Sequence, residues 1–423
     1  MSGADSGRLV GPDGGRCGQV AVLTLWTKNL MEIGITKGLG IMLPTLQQQL
    51  TTQMWIIGWI TSMITATSGF MALFAALLSR RFGTGYVLVT CGTMLSAAVI
   101  SGAFAETALQ LALVYSLLAG TAIGVSNVVA KEAVGRCFTR NYATANGIAR
   151  TGYSVGLFVF APLVQLFLNT YGWKGTMLLV GSLTMHNIAC GALMAATLPR
   201  LQLHDYQTVP YAERDSPRQS CFRSFWKFVF KSFDLELLYN ARYWSVAIIS
   251  CCTIYAYTMW IVYFVSQAQS NGFSLEEAGS FVTIAGVANL IAKVLQGLIT
   301  DRGVISSWSL VTVCTVASSA SYLASPWLTS YWPMLASALV ILFCDGVLSC
   351  QTDVLVKQVL GVELLAGAFG WIGLKVAVLT FALGFLPGLI YDNTGSYTTA
   401  FLLIGSVQAF PLIPLLTLKY SKQ

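Results

Sequence analysis

Charge is scarce in this sequence. Only 10% of its 423 residues are Asp, Glu, Lys or Arg, against about 25% in ordinary soluble domains. Length alone would suit two or three soluble domains, but so little charge cannot cover their surfaces. Disordered, coiled-coil and nucleic-acid-binding classes are excluded with them. Histidine is almost missing, with only His186 and His204, and no Cys-x-x-Cys pair occurs. No metal site, cofactor or catalytic constellation is therefore expected. No Asn-x-Ser/Thr acceptor exists, so no N-linked glycan is expected. The first 18 residues are polar and Gly-rich, which is not the form of a cleavable signal peptide. What is abundant is apolar: 55% hydrophobic, 12% aromatic, mean hydropathy +0.68.

A bilayer core about 30 Å thick needs roughly 20 apolar residues as helix. Twelve such segments are legible, near 19–43, 55–79, 85–105, 109–130, 142–167, 175–198, 243–267, 276–300, 307–325, 331–356, 364–390 and 398–418. Most are rich in Gly, Ala and Ser, which lets helix backbones approach closely in lipid. The alternating ten-residue strands of a membrane barrel are absent. The fold expected is an all-α membrane protein of twelve transmembrane helices in two pseudo-symmetric six-helix halves.

The few charges fix the orientation. One set of loops and both tails hold Arg8, Arg16, Arg80, Arg81, Lys131, Arg136, Arg140, Arg242, Arg302, Lys357, Lys419 and Lys422, with six more basic residues between spans six and seven: Arg200, Arg214, Arg218, Arg223, Lys227 and Lys231. The opposite loops hold only Lys174. Positive residues stay cytoplasmic, so both termini are expected there, in a multi-pass protein of the plasma membrane. The formal charge of +7 is then a topology signal and not a sign of an anionic partner. No cysteine falls in an expected external loop, so no disulfides are expected.

The organisation read from the sequence is a tail over 1–18, a six-helix bundle over 19–198, a cytoplasmic linker over 199–241, a second bundle over 242–418 and a tail over 419–423. Faint repetition supports two halves. Leu178-Leu179-Val180-Gly181-Ser182 is echoed by Leu402-Leu403-Ile404-Gly405-Ser406, and Ser79-Arg80-Arg81 by Thr300-Asp301-Arg302, at offsets of 224 and 221 residues. Two such halves related by an axis along the membrane normal describe the major facilitator architecture, with solute bound between them near the midplane. Within the linker, residues 222–234 place Arg223, Lys227 and Lys231 four apart, with Phe222, Trp226, Val229, Phe230 and Phe233 on the other side. That reads as an amphipathic helix at the cytoplasmic interface, a strut between the halves or a lipid sensor.

Ionisable residues inside spans each cost about 2.5–3.5 kcal/mol on insertion scales and are functional candidates by default. Lys28 and Glu32 sit four apart in span one and are expected to pair. Lys37 lies half a turn around and farther out, facing the cavity or reaching for the interface. Lys293 in span eight has Asn289 one turn earlier and Gln296 beside the same stripe. It offers a carboxylate a point charge with three donors, or it pairs with Asp345 or Asp353. Asp353 and Lys357 are expected to pair with each other. Glu32 and Arg150 are candidates for gating or coupling. Asp345, mid-span with Ser349 one turn on, could hold a proton, pair with Lys293 or meet a cationic group. Lys375 is too isolated to assign.

Two stretches resemble the signatures of the monocarboxylate transporter family. The first is Asp13-Gly14-Gly15 before span one, where the family reads acid-Gly-Gly/Ser-aromatic-small-Trp. Here Arg16, Cys17 and Gly18 replace the last three. The second runs from Cys137 to Gly152, where the family reads Tyr-Phe-x-Lys-basic-x-x-Leu-Ala-x-Gly-x-Ala-x-Ala-Gly. Phe138, Arg140 for Lys, Ala145, Gly147, Ala149 and Gly152 keep it. The resemblance extends through Tyr171-Gly172-Trp173-Lys174-Gly175, Ser232-Phe233-Asp234, Asp301-Arg302 and Asp392-Asn393-Thr394-Gly395-Ser396-Tyr397. It implies a solute carrier. Lys37 matches a lysine that proton-coupled members use in span one. Asn289 and Lys293 stand where those members place an Asp and an Arg, so the anchoring charge survives and the proton-carrying acid does not. Asp345 stands where lactate carriers place a pocket-lining Phe, and Ser349 where they place a Ser. The segments around Asp345 and Tyr397 look closer to carriers of creatine, carnitine and aromatic amino acids. Members often need a single-span glycoprotein chaperone.

The expected function is a secondary transporter for a small monocarboxylate, with Lys37, Asn289, Lys293, Asp345 and Ser349 contacting the solute and proton symport in doubt. The alternatives are a facilitative carrier of a zwitterion such as creatine, carnitine, betaine or an amino acid, and a solute sensor on the same scaffold. The partners expected are the solute, the lipid bilayer and protons if coupling holds.

Overall fold

The computed structural model describes residues 13–50, 54–197, 230 and 232–420. Most of the linker lies outside these residues, and so does the amphipathic segment except Phe230 and 232–234. The described chain is helical and contains no strand.

Helix α1 is Gly15–Gln49. Helix α2 is Met54–Ala72, continued as Ala75–Phe82 after a bend of 53°. Helix α3 is Thr84–Gly102. Helix α4 is Ala108–Val114 and Thr121–Cys137, joined through a π-helical turn at Tyr115–Gly120. The run Tyr142–Thr184 holds two spans, because Gly172 breaks it at φ 65° and ψ −179°. That backbone state suits a residue without Cβ. Helix α5 precedes the break, and α6 follows it and ends with His186–Thr197. Helix α7 is Ala241–Ser270, α8 Leu275–Asp301, α9 Ser307–Ala324 and α10 Tyr331–Leu360. Helix α11 is Leu365–Leu383 with Leu386–Thr394, and α12 is Thr398–Ala409 with Leu412–Tyr420. Local chemistry starts several of them. Ser274 and Glu277 form a reciprocal capping box on α8, and Asn240 and Ser306 cap α7 and α9.

Eight described helices are long and apolar enough to cross a bilayer, and the bent α2 makes a ninth. Dividing the longest at Gly172 and adding α1 and α9, which are helical over span length but more polar, is consistent with the twelve expected spans. The helices overrun the expected ends. Lys131, Arg136 and Lys357, assigned above to loops, lie within helices: Arg136 and Lys357 in the last turns of α4 and α10, and Lys131 farther back in α4.

Within the first half α1 packs on α5 and α3 on α6. Within the second α8 packs on α10 and α9 on α12. The repeated glycines do the same job twice. A Cβ on Gly181 would lie 2.6 Å from Ile100 of α3, and one on Gly405 would lie 2.7 Å from Leu323 of α9. The halves meet along α5 with α8 and along α2 with α11. The first seam is backbone-close, since a Cβ on Gly147 would sit 2.1 Å from the carbonyl oxygen of Lys293. Gly147→Ala is therefore expected to force this seam apart at a cost of about 1–3 kcal/mol. A fall in the unfolding temperature of the purified protein checks it.

Candidate functional site

A cavity of about 700 Å³ lies between the halves. It runs from Lys131 and Asp353, near the end where α4 and α10 finish, to Lys37, Val265 and Gly279, near the opposite end. All seven site residues expected from the sequence line it: Glu32, Lys37, Arg150, Asn289, Lys293, Asp345 and Ser349. Lys131, Asn127, Tyr153 and Ser154 line it as well and were not expected. Hydroxyl, amide and tyrosine side chains are common in spans, and Lys131 sits just past an apolar run, so no sequence signal marked them.

The charges in the cavity divide by their partners. Glu32 is paired with Lys28, which is buried behind it, as the four-residue spacing suggested. Arg150 and Lys131 are both held by Asp353. Lys37 is exposed and makes no ion pair among the described residues. Lys293 and Asp345 make none either, although both are buried. They are linked instead by a directed chain of hydrogen bonds. Lys293 Nζ donates to Ser154 Oγ at 2.9 Å, and Ser154 Oγ donates to Asn289 Oδ1 at 3.1 Å. Asn289 Nδ2 donates to Asp345 Oδ2 at 3.1 Å and to the Leu342 carbonyl at 2.8 Å. Lys293 thus spends its contact on a neutral hydroxyl of the other half. Ser349 turns its hydroxyl back to the Gly346 carbonyl of its own helix at 3.3 Å.

The end near Asp353 is closed by contacts between the halves. Arg150 donates to Asp353 Oδ2 from Nε at 2.9 Å and from Nη2 at 2.5 Å. Lys131 Nζ lies 3.6 Å from Asp353 Oδ1, and Asn146 Nδ2 donates to Oδ2 at 3.4 Å. Asp301, ending α8, accepts from the backbone N–H of Ala143 at 3.3 Å and Thr144 at 2.7 Å. A carboxylate of one half thereby caps the first turn of a helix in the other. Lys357 donates to the Phe138 carbonyl and lies over the Tyr142 ring, 4.3 Å from its centroid. The expected Asp353–Lys357 pair is therefore not made. A pair one helical turn apart is worth only a few tenths of a kcal/mol. The fold instead brings Arg150 and Lys131 to both carboxylate oxygens in a partly buried place. Lys375, unassigned above, donates to Tyr243 Oη and lies 4.3 Å from the Trp244 ring centroid. Gln296 is not on the cavity wall. It donates to the Ala143 carbonyl at 3.3 Å and accepts from Gln351 at 2.6 Å.

The two signature stretches meet at this closed end. Asp13 accepts from the backbone N–H of Thr139 at 2.7 Å and Asn141 at 2.8 Å, from that of Arg140, and from the Thr139 hydroxyl at 2.9 Å. Asp234 accepts two bonds from Arg80, at 3.0 and 2.6 Å, and fastens the end of the linker to α2. Burial pushes Asp13 upward, but its donors outweigh that and hold the carboxyl below the usual carboxylate value. The stability it adds is thus fully present above the ordinary value of about 3.9 and is lost as pH falls through the lower folded value. Asp13→Asn is expected to lower the unfolding temperature at neutral pH, with the gap to the parent protein closing only in acid. Parallel melts over pH check this.

Two helical bundles around a charged cavity that is closed at one end define a carrier of small solutes. The Major Facilitator Superfamily profile matches residues 29–374. The chain is 26% identical to monocarboxylate transporter 12 of Rattus norvegicus, covering 97% of this chain and 87% of that one. It is 25% identical to monocarboxylate transporter 13 of the same species, covering 93% and 87%. It is also 25% identical to human monocarboxylate transporter 11, covering 94% and 82%. In fold it is similar to the crystal structure of the Major Facilitator Superfamily transporter FucP in the outward conformation. The TM-score is 0.70 at 15% identity, over 95% of this chain and 99% of that one. The chain belongs to the Major Facilitator Superfamily and, within it, to the monocarboxylate transporter family. It is a multi-pass membrane transporter and not an enzyme.

Proposed function

We propose that this protein moves a small monocarboxylate across the plasma membrane by alternating access, with Lys37 and Lys293 contacting the carboxylate. One observation carries the reading. Arg150 and Lys131 are engaged by Asp353, whereas Lys37 and Lys293 share the cavity with no ion pair among the described residues. A carboxylate supplies the missing acceptor. The rocking units are residues 19–198 and 242–418, joined by the linker 199–241. The basic bias assigns the closed end to the cytoplasm, so both termini lie there and the cavity faces outward. Asn289 offers no acid at the position that proton-coupled relatives use, so proton coupling is weak or runs through Asp345 or Glu32.

A second reading makes the solute zwitterionic. It is favoured by Asp345, an acid on the same wall with one oxygen held by Asn289 and no cation within ion-pair distance among the described residues. Purified protein in liposomes, offered lactate, pyruvate, creatine, carnitine, betaine and amino acids with and without a proton gradient, tests both. Preference for lactate or pyruvate supports the first reading. Preference for a zwitterion that is lost in Asp345→Asn supports the second. Binding without flux for every solute would sink both and leave a sensor. Strong stimulation by an inward proton gradient that persists in Asp345→Asn and Glu32→Gln would overturn the account of weak coupling.

A further inference from the structure

We propose that Cys17 and Cys137 form an oxidisable thiol pair at the closed end, which a hydroperoxide converts to an intramolecular disulfide. The two residues are 120 positions apart, yet their Sγ atoms lie 3.0 Å from each other. Cys17 sits half-buried in the first turn of α1, and Cys137 is the buried last residue of α4. Both belong to the stretches that resemble the family signatures. Cys17 stands at the small position of the first, and Cys137 at the Tyr position of the second.

The segments on either side of the contact are fastened to each other. Asp13 clamps Thr139, Arg140 and Asn141 from the α1 side. The Phe138 ring lies against Gly14 and Gly18, where a Cβ would fall 2.5 and 2.8 Å from it. A bond between the sulfurs needs a length of about 2.05 Å, so closing it takes roughly 1 Å of motion. Reactivity is divided between the partners as an oxidation site requires. Cys17 lies before the membrane-spanning part of α1. A hydrogen bond from the Cys137 thiol lowers it to about 7, against the opposing effect of burial. A half-exposed thiol with thiolate character beside a buried resolving thiol is the arrangement that reacts fastest with peroxides.

The step balances. The Cys17 thiolate sulfur attacks one peroxide oxygen, the O–O bond breaks, and the other oxygen leaves with a proton as water or alcohol. Cys17 is then a sulfenic acid. The Cys137 sulfur attacks it, the S–O bond breaks, and the hydroxide takes the Cys137 proton and leaves as water. Two thiols have lost two electrons and the peroxide has gained them. The bond would form one residue from Phe138, whose carbonyl accepts from Lys357 of the other half, so it ties α1 to α4 beside an inter-half contact.

Cys314 of α9 and Cys344 of α10 also face each other as thiols, but both are buried within spans. They serve as the internal comparison. The full-length purified protein is treated with hydrogen peroxide, free thiols are capped with N-ethylmaleimide, and intact mass and cross-linked peptides are measured. The expected result is a loss of two hydrogens, a Cys17–Cys137 peptide, and oxidation at least about tenfold faster than at Cys314 or Cys344. In Cys137→Ser, Cys17 is expected to accumulate as a sulfenic acid trapped by dimedone. Three outcomes would overturn the proposal: both thiols staying open to N-ethylmaleimide, Cys17 advancing to sulfinic acid in the parent protein without a bond, or a link from Cys17 to another cysteine. The parent protein alone decides between them, so the result does not depend on how the variant folds.

Discussion

Asp353→Asn is expected to release the closed end of the carrier. Asparagine matches the carboxylate in shape but leaves Arg150 and Lys131 without a counter-charge in a partly buried place. Removing one partner of such a group costs about 3–5 kcal/mol. Arg150 and Lys131 belong to the first half and Asp353 to the second, so the loss falls on the conformation in which the halves touch here. About 3 kcal/mol shifts a two-state balance by more than a hundredfold. Distance probes placed on either side of the closed end should report the separated form as dominant, and the unfolding temperature should fall. Exchanging all three charges together, in Arg150→Met, Lys131→Met and Asp353→Leu, is expected to recover much of the stability. Buried ionic groups can be replaced by apolar ones when they go as a set. Unchanged distances in Asp353→Asn would mean that the closed end is held by Asp301 and Lys357 instead.

Lys293→Gln is expected to weaken binding of a carboxylate solute by about 10- to 150-fold, the equivalent of one charge-assisted hydrogen bond of roughly 1.5–3 kcal/mol. The fold itself should barely respond. Lys293 has a hydroxyl as its partner and no ion pair among the described residues, so its removal breaks no ion pair. Lys293→Arg keeps the charge and should retain much of the binding. Concentration dependence of lactate uptake into liposomes separates these variants. Uptake that is unaltered in Lys293→Gln means that the anion is held elsewhere.

The cavity was legible in the sequence to an unusual extent for a physical reason. A charge inside a span is expensive, so the few present are not scattered. Lys37, Lys293 and Asp345 could be picked out one by one, and all three line the same space. The fold was legible for the same reason, since apolar runs and the basic bias mark spans and sides. Partners were harder. Asp353 lies four residues from Lys357 and 203 from Arg150. Spacing along a helix favoured the near residue, while the packing of α5 on α8 and α10 delivered the distant one. Ser154 carries no charge, so nothing distinguished it from the other serines until Lys293 was found against it.

The clamp at Asp353 also bears on speed. Opening the closed end draws one anion on α10 away from two cations on α4 and α5 and exposes all three to water. A bound solute lends its own contacts to both walls as they move and so offsets part of that cost. An empty protein has nothing to lend. The unloaded return is then expected to be the slow leg of the cycle, so that swapping one solute molecule for another across the membrane outruns net movement in either direction.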